Sequence, residues 1–438
     1  MNLEKIFHTL YNFKTISEFK RGGNMALKKI HKVLIAAGAA LVFMLIALIL
    51  IMSIFSARTL SVAFYRVPEN VMSALKSQIE SNYNGKVSFI ELEGSVGKVT
   101  ELASSYNMVI TWNGARADAL SKNAKELPAN LYNSMPTSLS RAGLRGEKYV
   151  YLPLLYDHEA AFYERTASKK NGLPIPETLS RLEANVESAA DYSFPLFCAG
   201  KNNDHFFAFV SAVTESVVGG SGYKKLCAEL AKSKDISSLM DMELSKDSAG
   251  VAVSFADALD LIRQWQNDGI IPAAWFNLPE NDLISLMQYK YTYGTFMPLS
   301  YYRTLPMQIA NGYESYRFPP FEARDDRALV APALVLFMNK TNKKYTQLAK
   351  ILVSADIQEQ LSNVTQLTPV SSRAGTFDIL ADDARFYAAS AVAGPVTTLQ
   401  EAAFISEDDI AVFAAQIREY LQLGQIGTVT EIKMNSNE

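Results

Sequence analysis

The chain has 438 residues, with Lys+Arg 42 against Asp+Glu 45 for a net charge of −3, and 49% of its residues are hydrophobic. So even a balance, with no basic stripe, argues against nucleic acid as a partner, because phosphate binding needs concentrated Lys and Arg. Four histidines in the whole chain argue against His-rich metal sites.

Residues 1–32 carry Lys5, Lys14, Lys20, Arg21, Lys28, Lys29 and Lys32. From Val33 to Phe55 the chain then runs through about 23 residues without a charge, Ser53 being the only polar side chain. A helix of that length spans the ~30 Å hydrocarbon core of a bilayer. The flanking lysines predict a cytoplasmic tail at 1–32, a transmembrane anchor at 33–55 and an extracytoplasmic domain at 58–438. A secretory signal has a shorter apolar core, about 7–15 residues, and small residues before its cleavage site. Here Ser56-Ala57 follows bulky Ile54-Phe55, and no cysteine follows the run for lipid attachment, so an uncleaved anchor is expected over a removed signal. Met25 offers a second start, so residues 1–24 read either as part of the tail or as an overlong start.

The exported part, roughly 380 residues, suffices for one large bilobed domain or two ordinary ones. Leu60–Phe64 reads as a strand. Glu69–Asn82 carries Val71, Met72, Leu75 and Ile79 on one helical face. Lys86–Leu92 reads as a strand, Ser95–Ser104 as a short helix and Met108–Trp112 as a strand buried on both faces. Strand and helix alternating over this stretch predict a parallel sheet with right-handed crossovers. Tyr149–Leu155, Thr295–Pro298 and Ala328–Phe337 are further strands. Phe255, Ala258, Leu259, Ile262 and Trp265 share one face of a helix ending before Gly269, which marks Trp265 as core. Ser406 and Asp409 form a capping-box pattern opening a helix to Leu423. Gly94–Lys98 and Gly219-Gly220-Ser221-Gly222 lack phosphate-loop spacing and read as turns. Cys198 and Cys227 both lie on the exported side, where a disulfide and two free thiols are both open.

In open parallel sheets, ligands bind beyond the carboxyl ends of the strands. The residues there are Tyr65 and Arg66, Trp112 and Asn113, Tyr156 and Asp157, and Tyr301 and Tyr302, with Trp275 counted among them. Aromatic faces stack on the C–H face of a sugar, while amides and carboxylates pair with its hydroxyls. These nine are the candidate ligand-binding residues. No catalytic residue, metal ligand or cofactor motif is assigned. His158 and His205, the two histidines of the exported part, sit in no nucleophile motif, and His158 reads as a helix-start or surface residue.

The segment LPLLYDHEAAFYERTASKKNGLPIPETLSRLE within Tyr149–Glu183 resembles the sugar-type bacterial extracellular solute-binding proteins, family 1, the periplasmic component of ABC importers. Ala256–Pro272, Leu283–Tyr302, Tyr316–Asn339 and Ala349–Val370 resemble the same family in the same order, covering nearly the whole exported chain. Where the family carries Gly-Pro-Trp, this chain has Leu299-Ser300-Tyr301, so the stacking ring would be Tyr301. The resemblance implies an α/β fold of the bilobed periplasmic-binding-protein type II class, with a ligand cleft between two lobes and closure by hinge bending. Lobe one would hold about 60–154 and 317–368, and lobe two about 155–316 and 369–438. It implies a non-enzyme that captures a small-molecule ligand, a carbohydrate, for ABC transporter permease subunits at the cytoplasmic membrane. The alternative is a ligand-sensing or scaffolding ectodomain of the same fold without a transport role.

Overall fold

The computed structural model describes residues 59–94, 96–167, 172–189, 192–233, 236–323, 326–375, 379–392 and 394–426, together with 37, 38, 41, 42 and 44. The chain divides into one unit to residue 60 and a second over Ser61–Glu438. Among the described residues no helix is long and apolar enough to cross a membrane. Most of the expected anchor at 33–55, and all of the tail at 1–32, lies outside them.

The second unit is organised by two sheets. Its elements run β1 (Leu60–Phe64), α1 (Glu69–Asn82), β2 (Val87–Glu91), α2 (Val96–Ala103) and β3 (Met108–Trp112). After them come β4 (Leu152–Tyr156), β5 (Glu159–Glu164), β6 (Leu196–Phe197), α3 (Asn203–Ser233) and α4 (Phe255–Asn267). Next are β7 (Gly294–Pro298), α5 (Leu299–Tyr302), β8 (Tyr313–Arg317), β9 (Ala328–Val330) and β10 (Ala333–Met338). The chain closes with β11 (Thr368–Pro369), β12 (Gly394–Val396), α6 (Leu399–Ala403) and α7 (Glu407–Leu423).

The first sheet has six strands in the order β11-β4-β10-β3-β1-β2. β1 and β3 pair in parallel, Val62 opposite Met108, as their alternation with helices predicts. From β3 outward the sheet turns antiparallel: β10 pairs antiparallel with β3 and β4, and β11 with β4. Of these strands only β10 enters from the other lobe, after Pro332, and it runs opposite to both β3 and β4. The pairing of β4 and β10 shifts register between Leu334 and Val335, beside Pro153, which has no N–H to donate to the ladder.

The second sheet has four strands in the order β8-β5-β7-β6. Its apolar face packs on α3, α4 and α7, where Phe206, Phe209, Trp265 and Phe413 join one continuous core. α4 is opened by a complete capping box between Ser254 and Asp257, and Trp265 is fully buried, its Nε1 donating to Glu183 at 2.7 Å. α7 is capped by Ser406 Oγ, which accepts from the Asp408 and Asp409 amides.

The chain passes between the sheets three times. β4 lies wholly in the six-stranded sheet, so the first passage is Asp157-His158, not the step from Leu154 to Leu155. The expected single strand 328–337 is two: Pro332 breaks it, and the second passage falls there. β9 pairs with β12, and Val330 joins the core of the second lobe. Its tether is Glu215 on α3, whose Oε1 accepts from the Ala328 amide at 2.7 Å and whose Oε2 accepts from Arg327 Nη2 at 2.8 Å. The stretch 317–330 was expected in lobe one; that buried ion pair keeps it with lobe two. The third passage follows β11.

Two further points, one expected as a turn and one left open, are settled. The Gly219–Gly222 run, expected as a turn, is a kink: α3 is two helices that meet at Gly219, which leaves helical geometry at φ 77°, a conformation glycine adopts without a Cβ penalty, while Gly220–Gly222 are helical. Cys198 and Cys227 are both free thiols, Cys198 buried, and burial pushes both thiols up, Cys227 to about 12.

Candidate functional site

A cavity of about 320 Å³ opens where the carboxyl ends of β3 and β7 meet the passages between the sheets. That is the crevice at which α/β sheets bind ligands. Trp112, the last residue of β3, supplies its aromatic wall and is half-buried. Asp157 lines it from the first passage. Its Oδ1 accepts from the amides of His158 at 2.9 Å and Ser300 at 3.0 Å, and its Oδ2 accepts from Ser300 Oγ. The carboxylate thereby fixes the strand end of the first passage to the start of α5. Burial raises its pKa, and the Ser300 and His158 hydrogen bonds hold the rise back.

His158 and Glu159 follow in the same wall. The His158 ring is 1% exposed and neither ring nitrogen has a hydrogen-bond partner. Burial, aided by the Arg317 charge, pushes it down to about 3, so the ring is neutral. It is a cavity-wall residue, not a surface one; its place on the passage between two sheets leaves it no solvent. Glu159 is 3% exposed, and burial with Asp157 nearby raises its carboxyl well above the usual range.

The facing wall comes from the N-terminus of α3 and from α6. Asp204 accepts from Gln400 Nε2 at 2.8 Å. His205 Nδ1 lies 3.4 Å from Glu280 Oε1, and its ring meets the Tyr301 ring edge-on at 5.1 Å. Glu401 is 8% exposed. Its Oε1 lies 3.3 Å from Arg116 Nη1, but the same guanidinium reaches Glu407 more closely, at 2.8 Å. With Arg116 drawn to Glu407, burial prevails and Glu401 is raised to about 7. Gly114, at φ 132°, passes so near the Glu401 carbonyl that a Cβ would collide with it. Among the described residues no group of three or more His, Cys, Asp or Glu side chains is placed to hold a metal ion.

Of the nine candidates, Trp112 and Asp157 line the cavity. Asn113 sits beside Trp112 and serves backbone: its amide donates to Ala333 O at 2.8 Å and its side chain to Ala142 O at 3.5 Å. Tyr301 stands behind His205 and outside the lining. Arg66, at φ 54°, reaches outward to Glu407 at 3.8 Å. The other four are core. Tyr65 and Tyr156 are buried beneath their strands. Tyr302 stacks on Phe162 with ring centroids 3.9 Å apart and donates to Ala310 O. Trp275 is fully buried, stacked on Phe206 and edge-on to Phe209, in a slot that Gly200 keeps open. Strand-end position alone does not tell an aromatic that faces the crevice from one a residue away that turns inward. His158, Glu159, Asp204, His205, Gln400 and Glu401 were not among the nine. Asp157-His158-Glu159 carried a signal, three titratable residues in succession beside an apolar strand; Gln400 and Glu401 carried none, being brought in from near the C-terminus by the topology.

No family model matches the chain, and no curated protein matches it in sequence. Its fold is shared with solved sugar-binding receptors. The apo form of RafE from Streptococcus pneumoniae aligns over 84% of this chain and 94% of its own, at 14% identity and a TM-score of 0.62. RafE in complex with raffinose aligns over 84% and 95%, at 14% identity and a TM-score of 0.59. The bacterial solute receptor AcbH, described as exclusively preferring β-D-galactopyranose, aligns over 84% and 94%, at 12% identity and a TM-score of 0.60. The expected resemblance is thus borne out at the level of the fold: this is the α/β bilobed fold of the solute-binding proteins, and the neighbours that share it are binding proteins.

Proposed function

We propose that this chain, on the fold of the sugar-type solute-binding proteins, captures a carbohydrate in the cleft between its sheets and delivers it to the permease subunits of an ABC importer. One observation carries the reading: an aromatic face, Trp112, stands in one cavity with the acceptor groups of Asp157 and Asp204. A sugar needs that pairing, a ring for its C–H face and fixed acceptors for its hydroxyls. The cavity is at the small end of ligand sites, which suits one or two sugar rings. The cleft binds and does not transform its ligand. Its two histidines sit in no nucleophile motif, and Asp157 and Asp204 are held by Ser300 and Gln400.

The uncharged run at 33–55 and its lysine flank support an uncleaved anchor, which tethers the binding domain beside the importer. The protein then stays in the membrane pellet through salt and carbonate washing, and protease outside the cytoplasmic membrane removes nearly all of it. A soluble mature chain beginning near Arg58 would reject the anchor and leave the binding function standing. The binding function is tested by thermal shift of the full-length protein, in a sugar-free detergent, against sugars, peptides and amino acids. A ligand at 100 times its dissociation constant adds about 2.7 kcal/mol of stability. Sugars should raise the melting temperature, and peptides or amino acids raising it in their place would reject the reading.

A further inference from the structure

The cleft's charge is one-sided. Asp157, Glu159, Asp204 and Glu401 line it, and no Lys or Arg stands in its described lining. The two histidines there supply no counter-charge at neutral pH, because burial lowers both. Two of the four carboxyls go beyond what a neutral sugar requires. Glu159 and Glu401 are each more than nine-tenths buried, and each keeps one oxygen, Oε2, with no hydrogen-bond partner. A buried acceptor without a donor is costly, and a buried carboxylate without a counter-ion more so. Arg116, the cation beside Glu401, is held closer by Glu407.

We propose that the ligand of this cleft carries a positively charged amine, neutralised by Glu159 and Glu401. This rests on the carbohydrate reading, under which the ligand is an amino sugar. Asp157 and Asp204 already accept from Ser300 and Gln400 and serve as fixed acceptors for hydroxyls. Glu159 feels the charge of Asp157, and Glu401 that of Asp204 and Glu407; an anionic sugar would add to that repulsion and a cation relieves it. Burial raises Glu159 well above the usual range and Glu401 to about 7; a docked ammonium draws both back toward the ionised form.

The test is calorimetric titration of the full-length protein, in a sugar-free detergent, at pH 7. The probes are glucosamine, N-acetylglucosamine, glucose and glucuronate, the β-1,4-linked dimers of the first three, and spermidine. The amine-bearing member of a matched set should bind about tenfold or more tighter than its acetylated and neutral counterparts, with glucuronate weakest. Glu159→Gln should cut that preference about tenfold; Glu401→Gln should do the same and replaces it if Glu159→Gln melts early. Trp112→Ala should weaken every member alike. A neutral sugar binding as tightly as its amine counterpart, or a preference that survives both glutamine variants, overturns the amine and leaves the carbohydrate reading intact. Spermidine binding while no sugar binds supports the charge and overturns the carbohydrate. Binding by none of the probes overturns both.

Discussion

Trp112 and Trp275 are the same residue type with opposite duties. Trp112 half-exposes its ring to the cavity, so Trp112→Ala should weaken ligand binding by roughly 1–3 kcal/mol, the worth of one aromatic face. The ligand-free melting temperature should hardly move. Trp275 is enclosed by Phe206, Phe209 and Gly200, and its truncation should cost about 3–5 kcal/mol of stability, as large core truncations do. Chemical denaturation of both variants decides: Trp275→Ala unfolding as late as the parent would place that ring outside the core. Glu401 gives a pH test. Its folded pKa, about 7, lies above the ordinary 4.5, so the native state holds this proton more tightly than the unfolded chain does. The contribution is complete below pH 4.5 and is lost as pH rises through 7. Denaturant midpoints measured across that window should fall for the parent and fall less for Glu401→Gln, by on the order of 3 kcal/mol over the full window. Parallel curves would mean the carboxyl is already ionised beside Arg116.

At the level of elements, patterns that depend on neighbours in sequence are legible in the chain itself. The helical face of Phe255, Leu259, Ile262 and Trp265 predicts α4 and the burial of Trp265, and both are present. Its capping box makes a local prediction: Ser254→Ala should lower stability by about 1 kcal/mol and leave ligand affinity unchanged, read from paired denaturation and titration. A change in affinity would show that the cap reaches the cleft, which its place at the far end of α4 does not suggest. The site is half legible. Trp112 and Asp157 follow strands that apolar patterning marks well. Glu401 reaches the cleft through a β12 that pairs with β9 and a Gly114 that lets the backbone close in, neither of which has a periodic signature. Gly219 shows how far a glycine run can be read: it does break the helix, as a single-residue kink between the two segments of α3 and not as a loop.

At the scale of the molecule, two sheets joined by three short passages form the described binding unit, and the cavity lies at those passages. A ligand there touches both lobes at once, so its binding energy favours a closed arrangement over an open one. Asp157 is placed to feel that change, since it belongs to the first passage and holds α5 through Ser300. Asp157→Asn keeps the shape but removes the charge that the Ser300 and His158 donors meet, and should weaken sugar binding by about 1.5–3 kcal/mol. Equal affinity in calorimetry would place the ligand away from this passage. The central claim is that the cavity beside Trp112 captures a carbohydrate. The most direct measurement is calorimetric titration of the full-length protein and its Trp112→Ala variant with the sugar that most raises the melting temperature. The account predicts saturable, one-site binding that weakens at least about fivefold in the variant. Unchanged affinity in the variant, or heat with no sugar at all, would contradict it.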